Sequence, residues 1–252
     1  MNWMKKVAVA LVCLLPLGLQ AAKVDTLQVK SPSMNKSIEV VVVSPDVAAT
    51  KACPVIYLLH GYGGNARTWV GIKPDLSKIA DEKGIFFVCP DGKNTWYWDS
   101  PLNADVRYET FISDELVKYV DSHYKTVADR KGRAITGLSM GGHGAMWNGL
   151  RHSDVFSAAG STSGGVDIRP FPKNWEMSVP TLRKDQIALI FDCGDSDFFL
   201  EVNKNYHEAL LKQGIDHDFI TRPGNHDSQY WNNSIDYQIL FFWKHFLKMK
   251  AL

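Results

Sequence analysis

The segment Gly137-Leu138-Ser139-Met140-Gly141-Gly142, entered from the apolar run Arg133-Ala134-Ile135-Thr136, constrains this chain more than any other. It reads as strand, sharp turn and helix, with a serine at the apex. Such a turn crowds the backbone around the serine, so its neighbours must lack bulky Cβ substituents, a need met by Gly137, Gly141 and Gly142. The spacing G-x-S-x-G lifts the serine hydroxyl clear of a sheet edge. It also turns the backbone N–H of Met140 toward the same space, where it can help hold an oxyanion.

The rest of the chain supplies the sheet that such a turn needs. Val24 to Lys30 and Ser37 to Ser44 are β-branched and bounded by Ser, Pro and Asn, which predicts an antiparallel opening pair. Pro54 to His60, Ile85 to Cys89, Phe156 to Ser161, Gln186 to Asp192 and Asp216 to Thr221 read as further strands, the first two as continuous apolar runs suited to burial on both faces. Helices are predicted over Pro74 to Lys83, through Val106 to Val120, over 141–152, over Val202 to Lys212 and over Tyr230 to Met249. Strands alternating with helices imply an α/β fold with a mostly parallel central sheet and helices on both faces. No repeat, low-complexity tract or interdomain linker interrupts it, so residues 22–252 are expected to form one domain. The irregular segment 164–184 is the one candidate cap, and it is small.

Composition narrows the class. The 252 residues are 45% hydrophobic and 22% charged, ordinary for a folded globular chain, with a formal charge of +1. No basic stripe appears, so nucleic acid is not an expected partner. Lys5 and Lys6 precede the apolar stretch Val7 to Leu19, which is too short and too broken by Pro16 and Gly18 to span a bilayer. Residues 1–21 therefore read as a cleaved signal peptide, with the mature chain starting near Ala22 and destined for the periplasm or the exterior. No second long apolar run suggests stable membrane insertion. Of the remaining cysteines, Cys53, Cys89 and Cys193 are odd in number and sit at the edges of strand-like runs, as buried small hydrophobes do. No C-x-x-C or H-E-x-x-H occurs, so a dedicated metal site is not expected.

A serine hydroxyl needs an adjacent base at neutral pH. In folds that carry this elbow, the orienting acid and then the base follow the serine in the chain, on loops at the carboxyl ends of later strands. His226 fits, in the strand exit Arg222-Pro223-Gly224-Asn225-His226-Asp227. The other histidines fall on predicted helices or strands, except His60, which precedes a glycine loop and is expected to brace it. The acid lies in Phe191-Asp192-Cys193-Gly194-Asp195-Ser196-Asp197-Phe198, where Asp192 still belongs to the strand. Loop length modestly favours Asp197 over Asp195, which, like Ser196, could instead cap the next helix. The second oxyanion donor should come from Leu59-His60-Gly61-Tyr62-Gly63-Gly64-Asn65, with the Tyr62 N–H preferred and Gly61 or Gly63 as neighbours. Trp96, Tyr97 and Trp98, with Trp175 and Trp231, are candidates for the rim of a cleft, and Trp96, Tyr97 and Trp231 are named as substrate-binding residues.

At these residues the chain resembles the esterase D-type α/β-hydrolases, a group that spans S-formylglutathione hydrolases, tributyrin esterases, acetylxylan and feruloyl esterases, and mycolyltransferases. The matching pieces are Leu58 to Gly64, Pro90-Asp91-Gly92 followed by Trp96-Tyr97, Gly137 to Gly142, Asp192 to Phe198, and Gly224 to Asp227. The resemblance covers nearly all of the mature chain. It implies Asp197 as the acid and the N–H groups of Tyr62 and Met140 as the oxyanion pair. It also implies ester hydrolysis through a serine acyl-enzyme, without metal or organic cofactor.

The expected substrate is a small-molecule or oligosaccharide ester, with acetyl, feruloyl or short fatty acyl groups all open. Alternatives are an acyltransferase, an S-formylglutathione hydrolase-like thioesterase, with which export fits poorly, and an inactive carbohydrate-binding module. Three filled triad positions argue against the last.

Overall fold

A computed structural model describes residues 22–166 and 186–252. The signal segment, most of the candidate cap and Trp175 lie outside the described residues. Eight strands form one sheet in the order β1-β2-β4-β3-β5-β6-β7-β8. They are β1 (Lys23–Ser31), β2 (Lys36–Ser44), β3 (Val55–Leu59), β4 (Phe86–Pro90), β5 (Arg133–Gly137), β6 (Ala158–Thr162), β7 (Ala188–Gly194) and β8 (Asp218–Arg222). The opening hairpin is antiparallel and β2 pairs antiparallel with β4; every later pairing is parallel.

The central strands β3, β4, β5 and β6 are buried at every position. Alternate residues feed two cores, one on each side of the sheet. Tyr57, Leu59, Val88 and Ile135 pack with Leu116, Met146, Leu150 and Tyr206. Ile56, Leu58, Phe87 and Ala134 pack with Trp69, Leu76, Phe242 and Phe246. Helices α1 (Thr68–Ile72), α2 (Leu76–Lys83) and α7 (Ser228–Lys248) therefore cover one face, and α4 (Leu116–His123), α5 (Met140–Arg151) and α6 (Leu200–Lys212) cover the other. The expected α/β architecture with helices on both faces is what the chain adopts.

Two local features depart from the sequence reading. The stretch expected as one helix through Val106 to Val120 contains a short helix α3 (Tyr108–Thr110), a π-helical turn over Phe111–Glu115, and then α4. His217, expected inside a strand, lies just before β8, where its imidazole contacts that of His207 at 2.7 Å.

Candidate active site

The elbow is built from backbone sterics. Ser139 sits at φ 54°, ψ −118°, between β5 and α5. A non-glycine residue held there costs about 1–3 kcal/mol, which the surroundings must offset. They do so through two backbone bonds, from the Leu138 N–H to the Leu59 carbonyl (3.2 Å) and from the Ser139 N–H to the Thr162 carbonyl (3.0 Å). A Cβ at Gly137 would lie 2.5 Å from the Gly141 carbonyl carbon and 2.6 Å from the Leu59 oxygen, so helix and neighbouring strand approach only because that atom is missing.

Three groups remote in sequence meet above the elbow. Ser139 Oγ lies 3.0 Å from His226 Nε2, and His226 Nδ1 lies 2.9 Å from Asp197 Oδ2. The other Asp197 oxygen accepts the Phe199 N–H at 2.8 Å. Burial pushes the Asp197 carboxyl up, but the hydrogen bonds from His226 and Phe199 outweigh it and hold the carboxyl below its ordinary range. An ionised, fixed carboxylate keeps the proton on Nδ1, so Nε2 is free to accept one from the serine.

Each aspartate at the exit of β7 has its own task. Asp192, at the end of the parallel pairing with Thr162, is buried and accepts from Thr162 Oγ1 (2.8 Å), the Tyr230 hydroxyl (3.1 Å) and Gln238 Nε2 (2.7 Å), bolting α7 to the sheet. Asp195 accepts the Gly224 N–H at 3.2 Å. It does not cap α6, whose N-cap position is Phe199 and carries no side-chain cap bond, so the capping role open to Asp195 and Ser196 is absent. Asp227 caps α7 instead, its carboxylate accepting the Tyr230 N–H at 2.9 Å, and this fixes the chain direction just after His226.

The glycine loop after β3 lies against the elbow: a Cβ on Gly61 would come within 3.3 Å of Ser139 Cβ. The Gly63 N–H is spent on Asn94 Oδ1 (2.7 Å) and the Gly64 N–H on the Gly61 carbonyl (3.0 Å). The N–H groups of Gly61 and Tyr62 have no hydrogen-bond partner among the described residues. Met140 is the first residue of α5, so its N–H precedes the helical ladder and points outward with the positive end of the helix dipole. His60 braces the loop as expected. Gly92 N–H donates to its Nε2 (2.9 Å), which leaves Nδ1 to donate to the Gly61 carbonyl (2.7 Å).

A cleft of about 410 Å³ opens at Ser139 and His226, walled by Tyr62, Trp96, Leu138, Phe198, Phe199 and Trp231. Trp96 and Trp231 thus stand where the sequence put them. Tyr97 does not. It is wholly buried under the loop, its hydroxyl donating to the His60 carbonyl at 3.0 Å and its ring filling the space that a side chain at Gly92 or Gly144 would take. Both Trp96 and Tyr97 have positive φ (58° and 59°), and the left-handed pair throws successive side chains in different directions. Trp98 is buried as well. The sequence reading does not include Phe198 and Phe199 as wall residues, although they directly follow Asp197. The Phe198 ring lies 4.4 Å from the His226 ring and that of Trp231 lies 5.0 Å from it, nearly perpendicular.

Among the described residues, no cluster of three or more His, Cys, Asp or Glu side chains is placed to hold a metal ion. Cys53, Cys89 and Cys193 are buried free thiols, as expected. No described helix is long and apolar enough to cross a membrane.

A family model described as "Putative esterase" matches residues 31–242. An acetyl esterase of Caldicellulosiruptor saccharolyticus is 26% identical over 214 residues, covering 71% of this chain and 79% of that protein. An endo-1,4-beta-xylanase/feruloyl esterase of Xylanibacter ruminicola is 30% identical over 190 residues, covering 67% of this chain but only 24% of that longer protein. Among solved structures, a ferulic acid esterase superposes with a TM-score of 0.77 at 28% identity, over 90% of this chain and 99% of the other. An S-formylglutathione hydrolase from Staphylococcus aureus superposes with a TM-score of 0.74 at 20% identity, over 89% of this chain and 100% of the other, a likeness of fold.

Proposed function

The chain belongs to the esterase family and is a carboxylic ester hydrolase, and on that premise we propose that Ser139, His226 and Asp197 carry the reaction through a serine acyl-enzyme. The observation behind this reading is the continuous run of hydrogen bonds from Ser139 Oγ through His226 to Asp197, at 3.0 and 2.9 Å.

His226 Nε2 takes the Ser139 proton as Oγ attacks the ester carbonyl. The oxygen that becomes negative is held by the Tyr62 and Met140 N–H groups. The tetrahedral intermediate collapses, and the leaving alcohol takes its proton from His226. Water then enters, gives a proton to Nε2 and attacks the acyl carbon. The second intermediate expels Ser139, which recovers the proton, and the acid departs. Asp197 stays ionised throughout and stabilises the imidazolium formed at each transfer.

The substrate is an acetyl or feruloyl ester of plant polysaccharide, or a short-chain ester, hydrolysed outside the cytoplasm. The apolar, aromatic walls of the cleft suit a compact or phenolic acyl group. The names of the acetyl esterase, feruloyl esterase and ferulic acid esterase relatives point the same way, and export rests on the pattern of residues 1–21.

Labelling with a fluorophosphonate tests the centre of the reading: the probe should modify wild-type protein at Ser139 and leave Ser139→Ala unmodified. Modification of Ser139→Ala at full extent would sink it. A panel of p-nitrophenyl acetate, methyl ferulate, acetylated xylan and tributyrin, with the mature N-terminus read from exported protein, tests the substrate and the destination.

A further inference from the structure

The sheet ends on β1 at one edge and on β8 at the other, and the two edges are finished differently. An edge strand offers unpaired backbone groups to another chain, and lysine, proline or a bulge ordinarily blunts it. β1 carries Lys23, Asp25 and Lys30, with Lys23 paired to Asp25 at 2.9 Å. β8 reads Asp-Phe-Ile-Thr-Arg, with no lysine, proline or glycine inside it.

Pairing with β7 fixes the direction of its backbone groups. The Asp195 N–H donates to the Arg222 carbonyl at 2.9 Å, so Arg222 turns its backbone groups toward β7, and by alternation Ile220 and Asp218 do the same. Phe219 and Thr221 turn theirs outward, where neither has a backbone hydrogen bond to a described residue.

The side chains alternate too. The Phe219 ring lies 4.8 Å from that of His207 on α6, whereas Ile220 packs with Ile239 and Phe242 of α7. Asp218 and Arg222 share the face of Ile220. There the Arg222 guanidinium lies over the Tyr237 ring at 4.1 Å, and Phe241 lines a depression together with Asp218. Tyr237 is 45% exposed, and Phe219, Ile220 and Phe241 are half-buried, so apolar surface flanks the open backbone edge.

A strand that pairs with its own copy about a two-fold axis runs antiparallel, and its outward groups must be symmetric about that axis. Phe219 and Thr221 are symmetric about Ile220. With the axis there, Phe219 exchanges both backbone bonds with Thr221 of the second copy, and Ile220 faces Ile220. Asp218, exposed and without an ion pair among the described residues, then faces Arg222 of the second copy, and opposite charges directly across two strands attract. The same axis brings Tyr237 of one α7 toward Phe241 of the other, because these residues accompany Arg222 and Asp218. Register, charge and helix contacts thus agree on one partner.

We propose that β8 is the interface of a two-fold homodimer, formed by antiparallel pairing with β8 of a second copy of this chain about Ile220. The two sheets join into one. Paired strands run in opposite directions, so the two catalytic clefts, at the carboxyl ends of their strands, open away from each other and both stay accessible. The dimer does not depend on the esterase reading.

Sedimentation equilibrium of the purified protein should show a monomer–dimer equilibrium. Thr221→Pro deletes an outward N–H in each copy and should weaken the dimer about tenfold, with circular dichroism unchanged. Ile220→Cys should cross-link to its own copy on mild oxidation, because facing residues at such a position have Cα atoms about 4.5 Å apart, within disulfide reach. Wild type, whose Cys53, Cys89 and Cys193 are buried, gives the background. Thr221→Cys, which faces Phe219 of the second copy, should cross-link far less. A monomer at every concentration, a dimer untouched by Thr221→Pro, or equal cross-linking of the two cysteine variants would overturn the proposal. If Thr221→Pro does not fold, the cysteine variants decide, and an Ile220→Cys protein that stays uncross-linked overturns it.

Discussion

Asp195 and Gly224 are joined by a 3.2 Å hydrogen bond from the Gly224 N–H to Asp195 Oδ1, which laces the loop that carries Asp197 to the loop that carries His226, two residues before the imidazole. Asp197, two residues further on, reaches His226 itself. Two acids in one loop therefore hold two different parts of the same neighbour. Asp197→Asn should lower kcat for p-nitrophenyl acetate by about 10³–10⁴-fold, since an amide cannot hold the required tautomer. Asp195→Asn keeps an acceptor oxygen and should lose less than about tenfold. A larger loss for Asp195→Asn in parallel steady-state assays would refute the assignment of the acid.

Tyr62 is 67% exposed, and only its backbone N–H is proposed to hold the oxyanion. Tyr62→Ala should therefore change kcat by less than about fivefold. Tyr62→Pro deletes the N–H and should cost about 10²–10³ in kcat. Equal effects of the two substitutions, measured on folded protein, would place the donor elsewhere.

Trp96 and Tyr97 are neighbours with opposite fates. Trp96→Ala removes part of the cleft wall and should raise KM for an aryl ester several-fold while sparing kcat. Tyr97→Phe removes the bond to the His60 carbonyl and should lower stability by about 1 kcal/mol, seen in denaturant midpoints, with KM unchanged. A reversed pattern would return Tyr97 to the cleft.

Glu109 accepts from Trp147 Nε1, Arg151 Nε and His152 Nε2. Burial pushes its carboxyl up, but these three donors outweigh that and lower it to about 2 from 4.5. A carboxyl lowered in the folded state contributes stability above its unfolded value, and that contribution is lost as pH falls through the folded one. The stability gap between wild type and Glu109→Gln should be full near pH 6, shrink below about pH 4.5 and close toward pH 2. A gap independent of pH would show that the carboxylate's charge contributes nothing.

Much of the site was legible in the chain because its determinants are local. The elbow declares itself through glycines that a crowded turn demands, and the collision awaiting a Cβ at Gly137 is the physical reason. His226 could be found because topology confines the base to strand exits, and only one histidine occupies one downstream of Ser139. Asp197 is less legible: loop length favours it over Asp195 only modestly, and it is the family resemblance that selects it. The difference between them lies in which loop each meets across space, which no spacing encodes. The π-helical turn over Phe111–Glu115 was invisible for a similar reason, since apolar periodicity fixes a face and not the hydrogen-bond ladder.

The sequence by itself determined the strand–helix alternation, the glycine-bound serine and the order serine, acid, base, because these follow from steric and periodic constraints among near neighbours. Only the tertiary structure decided which aspartate meets the imidazole, that Tyr97 turns inward while Trp96 faces the cleft, and that Phe198 and Phe199 wall the site. Those outcomes depend on packing between segments far apart in the chain, where a change of one residue in a loop or one left-handed φ redirects a side chain to a different partner.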